Sequence, residues 1–159
     1  MLRRLTALLF SLSLSVQAAP LALDWLDLVP AAERNAQTSQ PLLLPAQHEQ
    51  MRFEQSMAGS MRAELDQQTV QLTGYVVPLE GDFETVTEFL LVPFVGACVH
   101  VPPPPPNQLV HVVFEKGVAA TALWDAVAVE GVLSVENSAT DLAETGYQLR
   151  GQRVSVLKP

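Results

Sequence analysis

The chain has almost no cysteine, since Cys98 is the only one among its 159 residues. A single cysteine cannot form a disulfide within the chain, which excludes the small secreted proteins that are held together by such bridges. Cys98 is therefore a free thiol, one half of an intermolecular disulfide, or a ligand. In an oxidising compartment a free thiol survives best when it is buried as a small core side chain.

Basic residues are also scarce, and the formal net charge is −8 at pH 7. Apart from the pair near the N-terminus, the basic residues are scattered along the chain and form no stripe that neutralises phosphates. The sequence therefore predicts no nucleic-acid partner. These residues are Arg34, Arg52, Arg62, Lys116, Arg150, Arg153 and Lys158.

Long hydrophobic runs are missing except at the N-terminus, where Arg3 and Arg4 precede the apolar residues 5–16 (LTALLFSLSLSV). This run is too short to span about 30 Å of hydrocarbon, and with the small residues around Ala18 it is typical of a secretory signal peptide. We expect residues 1–18 to be removed and the protein to reside in the periplasm. No cysteine follows the run, so we expect no lipid anchor.

The exported chain divides near residue 64. Residues 19–63 form an N-terminal extension in which Leu21–Leu28 is predicted to make one or two helical turns and to fold back as an apolar clip. A helix is predicted over Gln47–Ala63, because apolar side chains recur every four residues from Phe53. Residues 64–159 are predicted to be one β domain.

From residue 64 onward the apolar pattern changes to a period of two, which indicates strands. Glycines interrupt two of these strands, and a mid-strand glycine lets a strand curl around a barrel corner. We predict a mainly β fold, a small OB-like β-barrel with an N-terminal helical extension; a β-sandwich is the alternative. A bulge is expected at Gly74, and Glu115-Lys116-Gly117 is expected to end a strand. The predicted strands are Thr69–Leu79, Phe89–Pro93, Leu109–Phe114, Asp125–Glu136, Tyr147–Arg150 and Val154–Leu157.

Residues 96–108 (GACVHVPPPPPNQ) hold the side chains with the most chemistry. If residues 97–101 are extended, Cys98 and His100 point to the same face about 7 Å apart, because side chains alternate along a strand. A hairpin with a long loop would bring His111 near them. Cys98, His100 and His111 are therefore candidate ligands for zinc or copper(I), with water or a partner's side chain completing the shell.

Two other interpretations of Cys98 and His100 stay open. In the first, Cys98 is an enzyme nucleophile and His100 its base, which requires contact between them and a third group that orients the base. Parallel side chains two residues apart on a strand do not generally make that contact. In the second, Cys98 is a buried thiol beside a histidine whose hydrogen bonds are satisfied.

Five consecutive prolines form a polyproline II rod, which has no internal hydrogen bonds. We expect no backbone donor of the chain to reach its carbonyls, so that water, side chains or a partner must satisfy them. The rod is interpreted first as a strut between the cysteine loop and the next strand. It is also a candidate partner-binding surface made by Pro102, Pro103, Pro104, Pro105, Pro106, Asn107 and Gln108.

The block of residues 96–108 resembles the GACxHxPPPPPNQ signature of an exported bacterial family of unknown function, and the resemblance covers residues 64–157. It implies a periplasmic accessory role, since members look like periplasmic proteins or lipoproteins often encoded beside a MacB-like ABC transporter, in some bacteria under zinc-dependent control. Two features depart from the family pattern. The chain lacks the lipid-attachment cysteine, and Asp66-Gln67-Gln68 occupies a turn where a glycine is expected.

These observations favour a non-enzymatic periplasmic binding or adaptor protein. Its expected partner is the periplasmic part of an ABC transporter or an accessory protein, and zinc is its candidate cofactor. One alternative is a zinc carrier that uses Cys98 and His100, and the other is a thiol enzyme that uses Cys98 as its nucleophile.

Overall fold

A computed structural model describes residues 19–34, 55–82, 84–98, 101–120 and 125–157. Three short 3₁₀ helices occur in these parts, Trp25–Leu28, Ala63–Leu65 and Pro106–Gln108. No helix in the described ranges is long and apolar enough to cross a membrane. The strands are β1 (Leu21–Leu23), β2 (Thr69–Gly81), β3 (Thr85–Val92), β4 (Val110–Ala119), β5 (Val127–Ser134), β6 (Ser138–Ala139), β7 (Glu144–Thr145) and β8 (Tyr147–Val156).

Five long strands close into a barrel in the order β2-β3-β4-β8-β5, and β5 pairs again with β2. All of these pairs are antiparallel except β4 with β8. A closed five-stranded barrel of this kind is the OB-like architecture, so the predicted mainly β barrel is confirmed and the sandwich alternative is not formed. The predicted N-terminal helical extension is not confirmed. Two of the predicted strands, over 147–150 and 154–157, are one continuous strand, β8.

The barrel interior is filled by the apolar side chains that alternate along each strand. Phe89 of β3 and Phe114 of β4 stack there with their ring centroids 6.1 Å apart. Tyr147 is fully buried at the start of β8, and its hydroxyl donates a 2.7 Å hydrogen bond to the carbonyl of Leu28. The same hydroxyl oxygen accepts from the amide of Arg62, so this tyrosine joins the N-terminal clip to the barrel.

Gly74, in the middle of β2, marks a corner of the barrel. Residues 69–74 of β2 pair with β5, and residues 75–81 pair with β3, so the strand changes partner after Gly74. A Cβ atom on Gly74 would lie 2.6 Å from the carbonyl oxygen of Val92, which leaves room for glycine alone. The corner was predicted correctly, but the bulge was not. The bulge lies between Pro78 and Gly81, near the end of the strand.

β4 does not end at Glu115-Lys116-Gly117, where the sequence predicted a turn. Val118 pairs again with Val86 of β3, so residues 114–117 form a bulge and the pairing resumes after it. Gly117 permits this excursion because its φ angle is +68°. A second stretch of β pairing therefore outweighs the local turn signal.

The N-terminal segment packs on the barrel through a strand and a single 3₁₀ helix. β1 pairs with β2, and Leu28 is fully buried in the barrel core, so the segment folds back as the predicted apolar clip. The helical turns predicted over Leu21–Leu28 are present only at Trp25–Leu28, since Leu21–Leu23 is a strand. The helix predicted over Gln47–Ala63 is wrong for residues 55–62, which contain no helix. The rest of that prediction and the signal segment, residues 1–18, lie outside the described residues.

The turn before β2 contains a non-glycine residue in the left-handed region, because Gln67 has φ +58°. This is the turn where a glycine was expected. Left-handed backbone costs a residue with a Cβ atom about 1–2 kcal/mol, whereas glycine loses about 0.5–1 kcal/mol more chain entropy on folding.

Gln67→Gly is therefore expected to raise the free energy of unfolding by about 0.5–1 kcal/mol. Gln68→Gly is the matched control, since Gln68 is not among the residues with positive φ and should lose about the same amount. Urea denaturation of both variants measures the difference. If Gln67→Gly is the less stable of the two, the left-handed strain at Gln67 does not exist.

Candidate functional site

The segment that follows β3 is a compact loop on the outside of the barrel. Gly96 and Cys98 both have positive φ angles, +85° and +65°, and Ala97 forms an isolated bridge with Val101. The backbone is therefore not extended at Cys98, and the extended conformation expected over 97–101 is wrong at this residue. Val99 and His100 lie outside the described residues, so the orientation of His100 relative to Cys98 stays a prediction.

Cys98 packs against a second hydrophobic cluster on the outer face of the sheet. This cluster, which we call the outer cluster, is separate from the barrel core and consists of Val77, Leu90, Val92, Ala97, Leu109 and Ala143. The thiol is partly buried against this cluster, and the loss of solvent raises the pKa of Cys98 from 9.0 to about 11. The thiol is therefore protonated at neutral pH, whereas both nucleophilic attack and metal ligation use the thiolate.

Alkylation of Cys98 is expected to be slow at neutral pH. A pKa of about 11 in place of 9.0 leaves about a hundredfold less thiolate at pH 7.5, so iodoacetamide should react about a hundredfold more slowly than with an exposed cysteine. The rate should keep rising until the pH reaches about 11. Mass spectrometry of timed samples from pH 7 to 11 measures it. An apparent pKa below 9 would restore the thiol-enzyme interpretation.

His111 lies on the same outer face but has other partners. It sits on β4 directly opposite Leu90, a member of the outer cluster, and only 7% of its surface is exposed. One ring nitrogen, Nε2, is 2.9 Å from the carboxylate of Glu88, and the other, Nδ1, is 3.4 Å from the hydroxyl of Ser138. A metal ion would have to displace one of these groups.

The described parts of the chain contain no group of three His, Cys, Asp or Glu side chains that could hold a metal. No hydrogen bond joins Cys98 to His111, both of which are described. Both ring nitrogens of His111 are engaged by Glu88 and Ser138, so His111 would have to lose a partner to bind a metal. The third candidate ligand, His100, lies outside the described residues, so the zinc site stays a prediction.

The contacts of Glu88, His111 and Ser138 were not found by sequence reasoning. Glu88 and His111 belong to neighbouring antiparallel strands, and Ser138 belongs to the short β6–β7 hairpin that lies over them. No local pattern indicates such a pairing, because it depends on the strand register. The contact between His111 and Ser138 anchors the β6–β7 hairpin to the barrel beside the outer cluster.

The proline rod is shorter than predicted, because Pro106 already begins the 3₁₀ helix Pro106–Gln108, and its second half is fastened to the domain. The side-chain amide of Gln55 donates to the carbonyl of Pro104 at 2.8 Å. The backbone amide of Gln108 donates to the carbonyl of Pro105, and the backbone amide of Gly146 donates to the carbonyl of Pro106, both at 2.8 Å. The expectation that no backbone donor would reach these carbonyls is therefore wrong.

The residues after the rod continue the attachment. Asn107 is fully buried and donates from its side chain to the carbonyl of Ser60, and the Gln108 side chain donates to the carbonyl of Trp25 at 2.7 Å. Of the predicted partner-binding residues, Pro104, Pro106 and Asn107 are buried, whereas Pro102, Pro103, Pro105 and Gln108 are partly accessible. These contacts support the interpretation of the proline rod as a strut between the cysteine loop and β4.

Apolar side chains are exposed beside this strut. Phe94, Val95 and Val101 are exposed by 45%, 65% and 40%, and Pro102 and Pro103 continue the surface. We call these five residues the outer apolar face. They lie on a loop held by the Ala97–Val101 bridge and by the packing of Ala97, which is fully buried.

A family model for proteins of unknown function, DUF3299, matches residues 25–156. The chain belongs to the DUF3299 family. The match begins at Trp25 and thus includes the 3₁₀ helix Trp25–Leu28 of the N-terminal clip, whereas the resemblance seen in the sequence covered only residues 64–157. None of the curated proteins matches the chain.

A crystal structure of a DUF3299 family protein from Pseudomonas aeruginosa PAO1 is similar to this chain throughout. The sequences are 38% identical, the TM-score is 0.75, and the alignment covers 89% of this chain and 99% of the other. The likeness supports one shared DUF3299 domain that contains both the barrel and the clip. It carries no activity to this protein.

Proposed function

We propose that this DUF3299 protein is a non-enzymatic binding or adaptor module of the periplasm, and that it docks a partner through the outer apolar face. The observation that carries the proposal is the exposure of Phe94, Val95 and Val101 on a loop that is pinned to the barrel. Exposed apolar side chains that lie together are a common feature of protein-binding sites. A loop held in one conformation loses little entropy on binding.

The chemistry of the same loop supports a role without catalysis. Its one nucleophile, Cys98, is held as a neutral thiol by burial. The prolines that follow are fastened at Pro104 and Pro106, so they hold Val101, Pro102 and Pro103 in place as part of the docking surface. The proposed partner is the periplasmic part of an ABC transporter or its accessory protein, a class implied by the family resemblance.

The proposal is tested by titrating labelled residues 19–159 with the purified periplasmic domain of the transporter encoded nearest to the gene. Phe94→Ser/Val95→Ser should raise the Kd about tenfold to a hundredfold, because two central apolar contacts are lost. Leu26→Ser/Leu157→Ser removes equally exposed apolar side chains outside the face, at 48% and 43%, and should leave the Kd unchanged. Equal losses in both double variants would contradict docking at this face, as would absence of binding.

A zinc carrier is the second candidate function, and one observation favours it. The thiol of Cys98 is only partly buried, so a metal ion could reach it from solvent. Competition of the reduced chain with a zinc-binding dye, alongside Cys98→Ser and His100→Ala, separates the two functions. Stoichiometric binding that both substitutions abolish would establish the carrier, whereas the adaptor proposal expects no such binding.

A further inference from the structure

A groove opens on the barrel wall where β4 and β8 stop pairing. The two strands are paired in parallel over Val110–Val113 and Tyr147–Arg150. Beyond this point residues 114–117 of β4 form a bulge relative to β3, while β8 stays paired with β5. The space between the strands has a volume of about 410 Å³ and is lined by residues 114–118 and 150–154.

The walls of this groove are strand edges. β4 pairs with β3 again from Val118, and β8 keeps β5 as its partner, so the groove lies on the other edge of each strand. No strand pairing joins the two edges after Val113 and Arg150, although all of these residues are described. Unpaired backbone N–H and C=O groups of an edge bind extended chains, which is the basis of recognition by strand addition.

The groove is also rich in positive charge for a chain whose net charge is −8. Lys116, Arg150 and Arg153 line it, against the single carboxylate of Glu115. Arg153 has only a loose contact with Glu130 at 3.7 Å, and its side chain is 73% exposed. Within the described residues, neither Lys116 nor Arg150 has an ion-pair partner.

We propose that the groove between β4 and β8 binds an acidic peptide segment in an extended conformation. Such a segment adds a strand between the two edges, and its carboxylates meet Lys116, Arg150 and Arg153. The floor is closed and apolar, because the ring of Phe114 fills the space that a side chain on Gly151 would occupy. This surface is distinct from the outer apolar face and does not depend on its role.

The proposal is tested by fluorescence polarisation with a labelled hexapeptide of alternating valine and glutamate. The peptide should bind residues 19–159, and the same peptide with lysine in place of glutamate should bind at least about tenfold more weakly. Lys116→Glu/Arg150→Glu should raise the Kd of the acidic peptide at least about tenfold. Arg34→Glu reverses a charge on the N-terminal clip and should leave it unchanged. Thermal melts show whether each variant is folded.

A second probe separates strand addition from simple attraction of anions. N-methylation of the valines or of the glutamates removes the N–H donors from one edge of the extended peptide, and either version should bind at least about tenfold more weakly. Equal binding of the methylated and unmethylated peptides would overturn the proposal in favour of a plain anion site. Equal binding of the acidic and basic peptides, or no effect of the double charge reversal in a folded variant, would overturn it altogether.

Discussion

Tyr147→Phe is expected to lower the free energy of unfolding by about 3 kcal/mol. The Tyr147 hydroxyl is fully buried, donates to the carbonyl of Leu28 and accepts from the amide of Arg62, each at 2.7 Å. Its removal leaves both of these backbone groups without this partner, and a buried unsatisfied group costs about 1–3 kcal/mol. Urea denaturation followed by tryptophan fluorescence measures the loss, with Tyr75→Phe on the half-buried outer face as the matched control.

The loss should also depend on pH. Burial raises the pKa of Tyr147 in the folded chain above its ordinary value of 10.0. The unfolded chain therefore releases this proton first, and stability falls as the pH rises above about 10. Tyr147→Phe should remove this part of the alkaline destabilisation. A variant as stable as the wild type, with the same alkaline profile, would show that the hydroxyl does not join the clip to the barrel.

Asn107→Leu is expected to lower the free energy of unfolding by about 2–3 kcal/mol and to loosen the proline rod. The Asn107 side chain is fully buried and donates to the carbonyl of Ser60, so leucine leaves that carbonyl without this donor. A Cβ atom built on Gly59 would lie 2.3 Å from the Asn107 side-chain nitrogen, so the segment around Gly59 fits closely against this amide. A branched apolar side chain therefore disturbs it.

Asn137→Leu is the matched control, because Asn137 is exposed and the same substitution there should change stability by less than about 0.5 kcal/mol. Thermal denaturation gives the stability of both variants, and limited proteolysis reports on the rod. Asn107→Leu should be cleaved faster within residues 94–106 than the control. Equal stability and equal cleavage would mean that the rod is not held through Asn107.

The barrel was predictable because two independent signals agreed. Alternating apolar residues predicted the strands. Gly74 indicated the corner of β2, and Gly131 lies where the pairing between β5 and β8 is irregular. A sequence pattern with a period of two reports which face of a strand is buried, and that is sufficient for a small barrel. The clip was also visible, because Leu28 stands in an apolar run with no other role.

Predictions failed where contacts distant in sequence outweighed local preference. Residues 55–62 have helix-forming side chains, but Gln55 instead bonds the carbonyls of Pro104 and Glu144. The sequence predicted a turn at residues 115–117, but Val118 pairs again with β3. In the cysteine loop, an extended chain was assumed, although Gly96 and Cys98 both take left-handed backbone.

The candidate site was predictable only in part. The sequence placed Cys98 in an unusual loop, but it could not show that a cluster of apolar side chains on the outer face would keep the thiol neutral. It also could not pair His111 with Glu88, since that contact depends on the register between β3 and β4. The proposed docking face follows from the exposure of Phe94 and Val95, which only the fold reveals.

Hydrogen–deuterium exchange tests the docking proposal most directly. Residues 19–159 are compared alone and in complex with the periplasmic domain of the proposed ABC transporter partner. The proposal predicts slower exchange, on partner binding, in peptides that cover residues 94–101, and unchanged exchange in β5, residues 127–134. Protection confined to other regions, with none at residues 94–101, would contradict the account.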